Sequence, residues 1–90
     1  MRPKKNRSIN FQPKVIYFKP RGVPLKFLKE EEVCHDELEA LRLKYVRKFD
    51  QIKCAEKMAV SQSTFQRILS SANKKVAVAL IKGRAIKINL

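Results

Sequence analysis

Residues 51–69, QIKCAEKMAVSQSTFQRIL, contain the pattern on which the predicted fold depends most. Ile52, Ala55 and Met58 recur on one face of a short helix, and this periodicity breaks at residues 59–61. Helical periodicity then resumes in a new register. The stretch therefore predicts two helices, at about 51–58 and 62–82, joined by a turn of three residues.

The second of these helices has the strongest pattern in the chain. Ser61 is a suitable N-cap, because its hydroxyl can accept a hydrogen bond from a free backbone N–H of the first turn. Gly83 suits the position after the last turn, where left-handed backbone is common. The apolar face repeats for more than four turns, at Phe65, Ile68, Leu69, Ala72, Val76, Ala79 and Leu80.

The spacing within residues 51–69 is typical of a helix-turn-helix. Two helices that cross steeply need a small residue at the crossing and apolar anchors on the second helix. Ala55 is the small residue, Val60 is the apolar turn residue that we expect to be buried, and Phe65 and Ile68 are the anchors.

A further helix is expected upstream, over residues 36–47. Asp36 is the expected N-cap, with Glu39 as its partner in a capping box. Leu38, Leu41 and Tyr45 would then form the buried face of this helix.

Two short segments have the composition and alternation of strands. Residues 14–19 are rich in β-branched and aromatic side chains, and residues 85–90 alternate apolar with polar side chains. The fold class that follows is mainly α: a three-helix helix-turn-helix core at about 36–47, 51–58 and 62–82, with a small two-stranded sheet from residues 14–19 and 85–90. We expect residues 1–13 to be a flexible basic arm and residues 14–90 to be a single domain, in which the acidic run at residues 30–32 is solvated.

Charge is distributed very unevenly along the chain. The net charge is +13, and all eight acids lie between Glu30 and Glu56. Residues 1–29 therefore carry +9, residues 30–56 carry −3, and residues 57–90 carry +7. Such acid-free ends attract a polyanion by releasing its counterions, so double-stranded DNA is the expected partner.

The exposed side of the helix that starts at Gln62 carries residue types that read base edges. Gln can pair with adenine, Arg with guanine, and the methyl group of Thr can meet that of thymine. The expected base-contacting residues are Gln62, Ser63, Thr64, Gln66 and Arg67. The expected phosphate-contacting residues are Ser61, Lys53, Lys57, Lys74 and Lys75, together with Arg2, Lys4, Lys5 and Arg7 of the arm, which could follow the minor groove.

Other classes of protein are disfavoured by the sequence. Cys34 and Cys54 have no zinc-type spacing, and Cys34 and His35 are adjacent, so we expect neither a metal site nor a disulfide. There is no glycine-rich phosphate loop or catalytic cluster, which argues against an enzyme, a cofactor or a small-molecule substrate. The chain has neither an early apolar leader nor a long apolar run, so a cytoplasmic protein without a membrane segment is expected.

Two alternatives to DNA binding stay open. A protein-interaction module would use residues 76–81, which are apolar all round the helix and need cover from the chain's own strands or from a second copy. An RNA-binding module would share the basic surface but would favour aromatic platforms, which Phe11, Tyr17, Phe18 and Phe27 could supply.

Four stretches also resemble a family of short prokaryotic proteins that has no assigned biological role and is described as DNA-binding. They are FKPRGVPL at 18–25, DELEALRL at 36–43, STFQR at 63–67 and KVA at 75–77, leading to Gly83. The helical part is similar to the fourth region of bacterial sigma factors. The resemblance implies a helix-turn-helix that binds DNA. Ala59 stands where the family usually has Gly, and a left-handed non-glycine residue would cost on the order of 1 kcal/mol.

Overall fold

Three helices and a three-stranded sheet make up the fold in the computed structural model, which describes residues 8–90. In chain order the elements are β1 (Tyr17–Phe18), a 3-10 turn (Leu25–Phe27), β2 (Glu30–Cys34), α1 (His35–Leu41) with a π turn (Arg42–Val46), α2 (Gln51–Met58), α3 (Gln62–Lys82) and β3 (Ala85–Asn89). The mainly helical fold class is confirmed. Arg2, Lys4, Lys5 and Arg7 lie outside the described residues.

The sheet pairs both ends of the described chain through its central strand, β3. The predicted pairing of residues 14–19 with 85–90 is confirmed, since Tyr17 lies opposite Lys87 and Phe18 opposite Ile86 in antiparallel β1 and β3. The segment 14–19 forms ladder pairs only over β1, although the Ile88 N–H also donates to the Ile16 carbonyl at 2.8 Å.

A third strand, β2, was not predicted. It runs parallel to β3, with Val33 opposite Ile88, and includes the acidic residues 30–32 that we expected to be a solvated run. Val33 is buried, and the Glu31 carboxylate accepts a hydrogen bond from Arg84 Nη1 at 2.5 Å. Parallel strands require a long crossover, and here all three helices provide it. The pairing is therefore not visible in the local sequence.

The start of α1 corrects the predicted cap. The helix begins at His35 with Cys34 as N-cap, and the Glu37 carboxylate accepts the Cys34 N–H at 2.8 Å. The prediction of Asp36 as N-cap with Glu39 as its partner is wrong. Glu37 fills that role because it is three residues after the true cap and is also bound by α3.

The buried face of α1 was also predicted wrongly. Ala40 and Leu43 are buried, whereas Leu38 and Leu41 are half-buried and Tyr45 is 52% exposed. The cause is the π turn after Leu41, in which the Arg47 N–H donates to the Arg42 carbonyl five residues earlier, at 2.9 Å. This wider turn rotates the following side chains away from the positions that a regular α-helix would give them.

The core lies between α1, α2 and the first half of α3. Eight buried residues form one cluster, and Leu41, Phe49 and Val60 pack against it partly buried; the eight are Ala40, Leu43, Cys54, Ala55, Met58, Phe65, Ile68 and Leu69. Four apolar predictions need correction: Ile52 and Leu80 are exposed, and Val60 and Val76 are only half-buried.

Two residues in left-handed conformation end the second and third helices. Gly83 after α3 has φ 66° and Ala59 after α2 has φ 56°, which confirms both predicted turn positions. Ala59 is exposed, so no packing opposes its replacement.

Ala59→Gly should raise the free energy of unfolding by about 1 kcal/mol, because glycine adopts this backbone region without steric cost. Ala77→Gly, at an exposed position within α3, is the matched control and should lower that free energy by about 1 kcal/mol. Urea denaturation followed by circular dichroism measures both, and destabilisation by Ala59→Gly would contradict the left-handed assignment.

Candidate functional site

The pair of helices α2 and α3 is held by caps at both helix starts. The Asp50 carboxylate accepts the Lys53 N–H at 2.8 Å at the start of α2, and the Ser61 hydroxyl accepts the Thr64 N–H at 3.1 Å at the start of α3. The predicted N-cap Ser61 is thereby confirmed. The first turn of each helix is thus joined by a side-chain hydrogen bond to the residue that precedes the helix.

Apolar packing fixes the direction of α3. Phe65 is fully buried among residues of α1 and α2, and Ile68 and Leu69 continue the same contact one turn later. Ala55, the small residue expected where the two helices cross, is also buried. The opposite side of the first two turns of α3 is consequently turned to solvent.

Four of the five predicted base-contacting residues share that exposed side. Gln62, Ser63, Gln66 and Arg67 are exposed, and Ser70 continues the row one turn further on. Thr64 is half-buried, and its hydroxyl accepts a hydrogen bond from Ser61 Oγ at 2.9 Å. The structure therefore brings together four exposed polar side chains and half-buries the fifth at the helix cap; the exposed Ser63 hydroxyl is also within hydrogen-bond distance of the Ser61 hydroxyl, at 3.2 Å.

The predicted phosphate contacts separate into two groups. Lys53, Lys57 and Lys74 are exposed, and the Lys57 ammonium lies 5.8 Å from the centroid of the Phe49 ring. Lys75, in contrast, is half-buried, with its ammonium 2.8 Å from the Glu37 carboxylate. Its charge is thus already paired within the fold.

Residues 8–11 of the predicted arm contact the domain. The Ser8 N–H donates to the Met58 carbonyl at 3.1 Å, and the Asn10 N–H donates to the Glu39 carboxylate at the same distance. The Phe11 ring lies 5.3 Å from the Arg42 guanidinium. This segment thereby approaches both the end of α2 and the middle of α1.

Residues 76–81 are covered on one side only. Ala79 is buried, and β1 and β3 approach it, forming an open cleft of about 330 Å³ lined by Phe18, Leu80 and Ile86 among others. Leu80 and Ile81 are nevertheless 73% and 85% exposed. The chain's own strands therefore cover this apolar segment only in part.

Neither a metal cluster nor a spanning helix was found within residues 8–90. No group of three or more His, Cys, Asp and Glu side chains there has the arrangement to hold a metal ion. No helix in the same range combines the length and the apolar character that crossing a membrane requires.

Sequence reasoning missed Tyr45 as a surface residue. Its hydroxyl accepts a hydrogen bond from Asn73 Nδ2 at 3.0 Å, on the exposed side of α3. The signal that misled was the spacing of Leu38, Leu41 and Tyr45, which fits a regular helix but not the π turn. An aromatic residue within the basic stretch 42–48 was the remaining hint.

Comparison with known proteins gives a family. The model described as "Protein of unknown function DUF134" matches residues 1–89. The chain belongs to this family. A UPF0251 protein of Desulforudis audaxviator is 51% identical over 87 residues, covering 97% of this chain and 57% of that protein. UPF0251 proteins of Halothermothrix orenii and Dehalococcoides mccartyi are 45% and 49% identical, covering 96% and 97% of the chain and 64% and 74% of those proteins.

This member of the DUF134 family therefore spans about three fifths of the length of the first two relatives. No solved structure matches it significantly.

Glu37 is the residue that ties the start of α1 to α3. Its side chain is 7% exposed and accepts hydrogen bonds from Lys75, from the Cys34 N–H and from the Ser71 hydroxyl. Burial raises the pKa of this carboxyl, but the hydrogen bonds from Lys75, Ser71 and Cys34 outweigh it and hold the pKa below the ordinary value of 4.5.

Glu37→Gln should lower the free energy of unfolding by about 1–3 kcal/mol at neutral pH, since it breaks an ion pair and mismatches a donor. A depressed folded-state pKa stabilises the fold above the unfolded value and loses that contribution as the pH falls through the folded value. The difference from wild type should therefore shrink as the pH falls below 4.5.

Urea denaturation at several pH values measures this difference. Glu56→Gln, at an exposed position of α2, is the control and should change the free energy of unfolding by less than about 0.5 kcal/mol. A penalty for Glu37→Gln that stays constant with pH would contradict the assigned role.

Proposed function

We propose that this protein binds double-stranded DNA with sequence preference through its helix-turn-helix and acts as a transcriptional regulator. The observation that carries the proposal is the exposed row of Gln62, Ser63, Gln66 and Arg67 on a helix whose opposite side is anchored by Phe65. The resemblance of the helical part to the fourth region of sigma factors supports the same function.

The shape of the motif supports docking into the major groove. An α-helix with its side chains is about 10–12 Å across, and the major groove is about 12 Å wide. The start of α3 follows a tight turn, and α2 lies on its buried side, so its first two turns are free to enter such a groove. Gln66 and Arg67 are then the principal candidates for contacts with adenine and guanine.

Charge supports a polyanionic partner. Lys53, Lys57 and Lys74 are exposed around the proposed reader helix, and residues 57–90 contain no acid. We assign phosphate contacts to these three lysines and to the Ser61 region, together with Arg2, Lys4, Lys5 and Arg7 at the N-terminal end. Lys75 is omitted because its ammonium is paired with Glu37.

The first test is binding itself. Fluorescence anisotropy with labelled random-sequence duplex should show tight binding at low salt, with log K falling linearly with log salt. Tighter binding to single-stranded RNA than to duplex DNA, with a steeper dependence on salt, would favour the RNA-binding alternative. Lack of duplex binding at low salt would refute the proposal. Selection from random duplexes then gives the preferred site, and its symmetry reports whether one or two copies bind.

The second test separates base reading from phosphate contact. Arg67→Ala should weaken binding to the selected site by about 1–3 kcal/mol while changing affinity for random duplex less. Lys74→Ala should weaken both equally and reduce the salt slope by about 1. Lys82→Ala, in the last turn of α3, is the matched control for Lys74.

Lys82 is about 30 Å along the helix from Gln62, so it should leave the affinity nearly unchanged. Equal effects of Arg67→Ala on selected and random duplex would contradict the placement of α3 in the groove.

A further inference from the structure

Tyr45 and Asn73 form a polar pair on the surface that neither the buried core nor the caps require. Tyr45 comes from the π turn after α1 and Asn73 from the middle of α3, yet Asn73 Nδ2 donates to Tyr45 Oη at 3.0 Å. Tyr45 is 52% exposed and Asn73 is exposed as well. The fold therefore brings two neutral polar groups together in contact with solvent.

The position of this pair relative to the proposed reader residues follows from helix geometry. Asn73 is eleven residues after Gln62, which at 3.6 residues per turn places the two side chains within about 20° of the same direction. Along the axis they are about 16 Å apart. In a helix-turn-helix the N-terminal residues of the second helix contact the base edges, so residue 73, about three turns after Gln62, lies past the base-reading turns, where the helix leaves the groove beside the sugar-phosphate backbone.

The chemistry of the pair suits a phosphate oxygen. A phenolic hydroxyl that accepts a hydrogen bond from an amide still has its own proton to donate outwards, and the amide nitrogen keeps a second hydrogen. Lys74, the next residue along α3, is exposed and adds positive charge beside the pair. Side chains of Tyr and Asn are among the usual donors to DNA phosphates.

We propose that Tyr45 and Asn73 form a neutral phosphate clamp, which holds the DNA backbone at the far edge of the groove entered by α3. This inference rests on the proposed DNA-binding function. The clamp fixes how deeply and in which register α3 enters, because it joins the reader helix and the end of α1 to one point on the backbone.

A neutral clamp differs measurably from a lysine contact. Loss of the clamp removes hydrogen bonds but does not change the number of counterions that binding releases. Affinity should therefore fall for all sequences, while the salt slope stays the same. Tyr45→Phe and Asn73→Ala should each weaken binding of random and selected duplex by about tenfold. The double variant should lose less than the product of the two, since both residues act on one phosphate.

The chain offers matched controls on its sheet. The Tyr17 hydroxyl donates to Glu30 Oε2 at 2.7 Å, and Asn89 Nδ2 donates to Glu32 Oε1 at 3.0 Å, far from the start of α3 in sequence. Tyr17→Phe and Asn89→Ala make the same chemical changes and should leave affinity unchanged. A loss from these controls equal to that from the clamp variants would overturn the proposal, as would an altered salt slope for Tyr45→Phe.

A second measurement locates the contact without relying on one variant. Single methylphosphonate replacements along the selected duplex neutralise one phosphate at a time. One position should weaken wild-type binding but have little further effect on Tyr45→Phe or Asn73→Ala; absence of any such position overturns the clamp. Failure of the wild-type protein to bind duplex refutes DNA binding itself, whereas binding that both clamp variants retain in full refutes only the clamp.

Discussion

The packing of Phe65 between α1 and α2 sets the direction of α3, and the other features of the molecule depend on that direction. Because Phe65 is fully buried, the polar residues on the opposite side of the first two turns of α3 face solvent. Ala55 is buried in the same cluster, where its side chain takes up no space beyond Cβ. The turn at Ala59 accepts a left-handed residue to make the reversal fit, at a cost of about 1 kcal/mol.

Internal ion pairs neutralise several of the chain's carboxylates and thereby affect its electrostatic potential. Glu31 pairs with Arg84, Glu37 with Lys75 and Glu39 with Arg42. Glu37 joins α1 to α3, Glu31 joins β2 to the residue that precedes β3, and Glu39 pairs with Arg42 one turn later at the end of α1. Lys53 and Lys57 share α2 and its cap with Glu56 and Asp50, whereas Lys74 is exposed within the acid-free stretch 57–90. Structural pairing and a positive surface are thus two results of one distribution of acids along the chain.

Local sequence features predicted α2, α3 and the turn between them because the determinants of these elements are local. Periodicity and the Ser61 cap defined the start of α3, and Gly83 its end. Strand β2 could not be predicted in this way, since its register depends on Val33 meeting Ile88 across fifty-five positions of chain. The sequence did not predict Cys34 as the N-cap for a related reason. The Glu37 side chain that accepts the Cys34 N–H also accepts a hydrogen bond from Lys75, which is thirty-eight residues after Glu37. In the candidate site, Thr64 has the residue type of a base reader, but its hydroxyl accepts a hydrogen bond from Ser61, which residue type alone does not show.

The π turn after α1 connects the core to the surface. A regular α-helix through Arg42–Val46 would keep the usual hydrogen bonds between residues four apart. π turns are rare and occur mostly at functional sites, where they place a side chain differently. Here the wider turn buries Leu43 in the core cluster and sets Tyr45 beside Asn73. The two effects are coupled, because both side chains belong to the same five residues. A change that restored regular winding would therefore alter the hydrophobic contact with Phe65 and the polar surface beside α3 together.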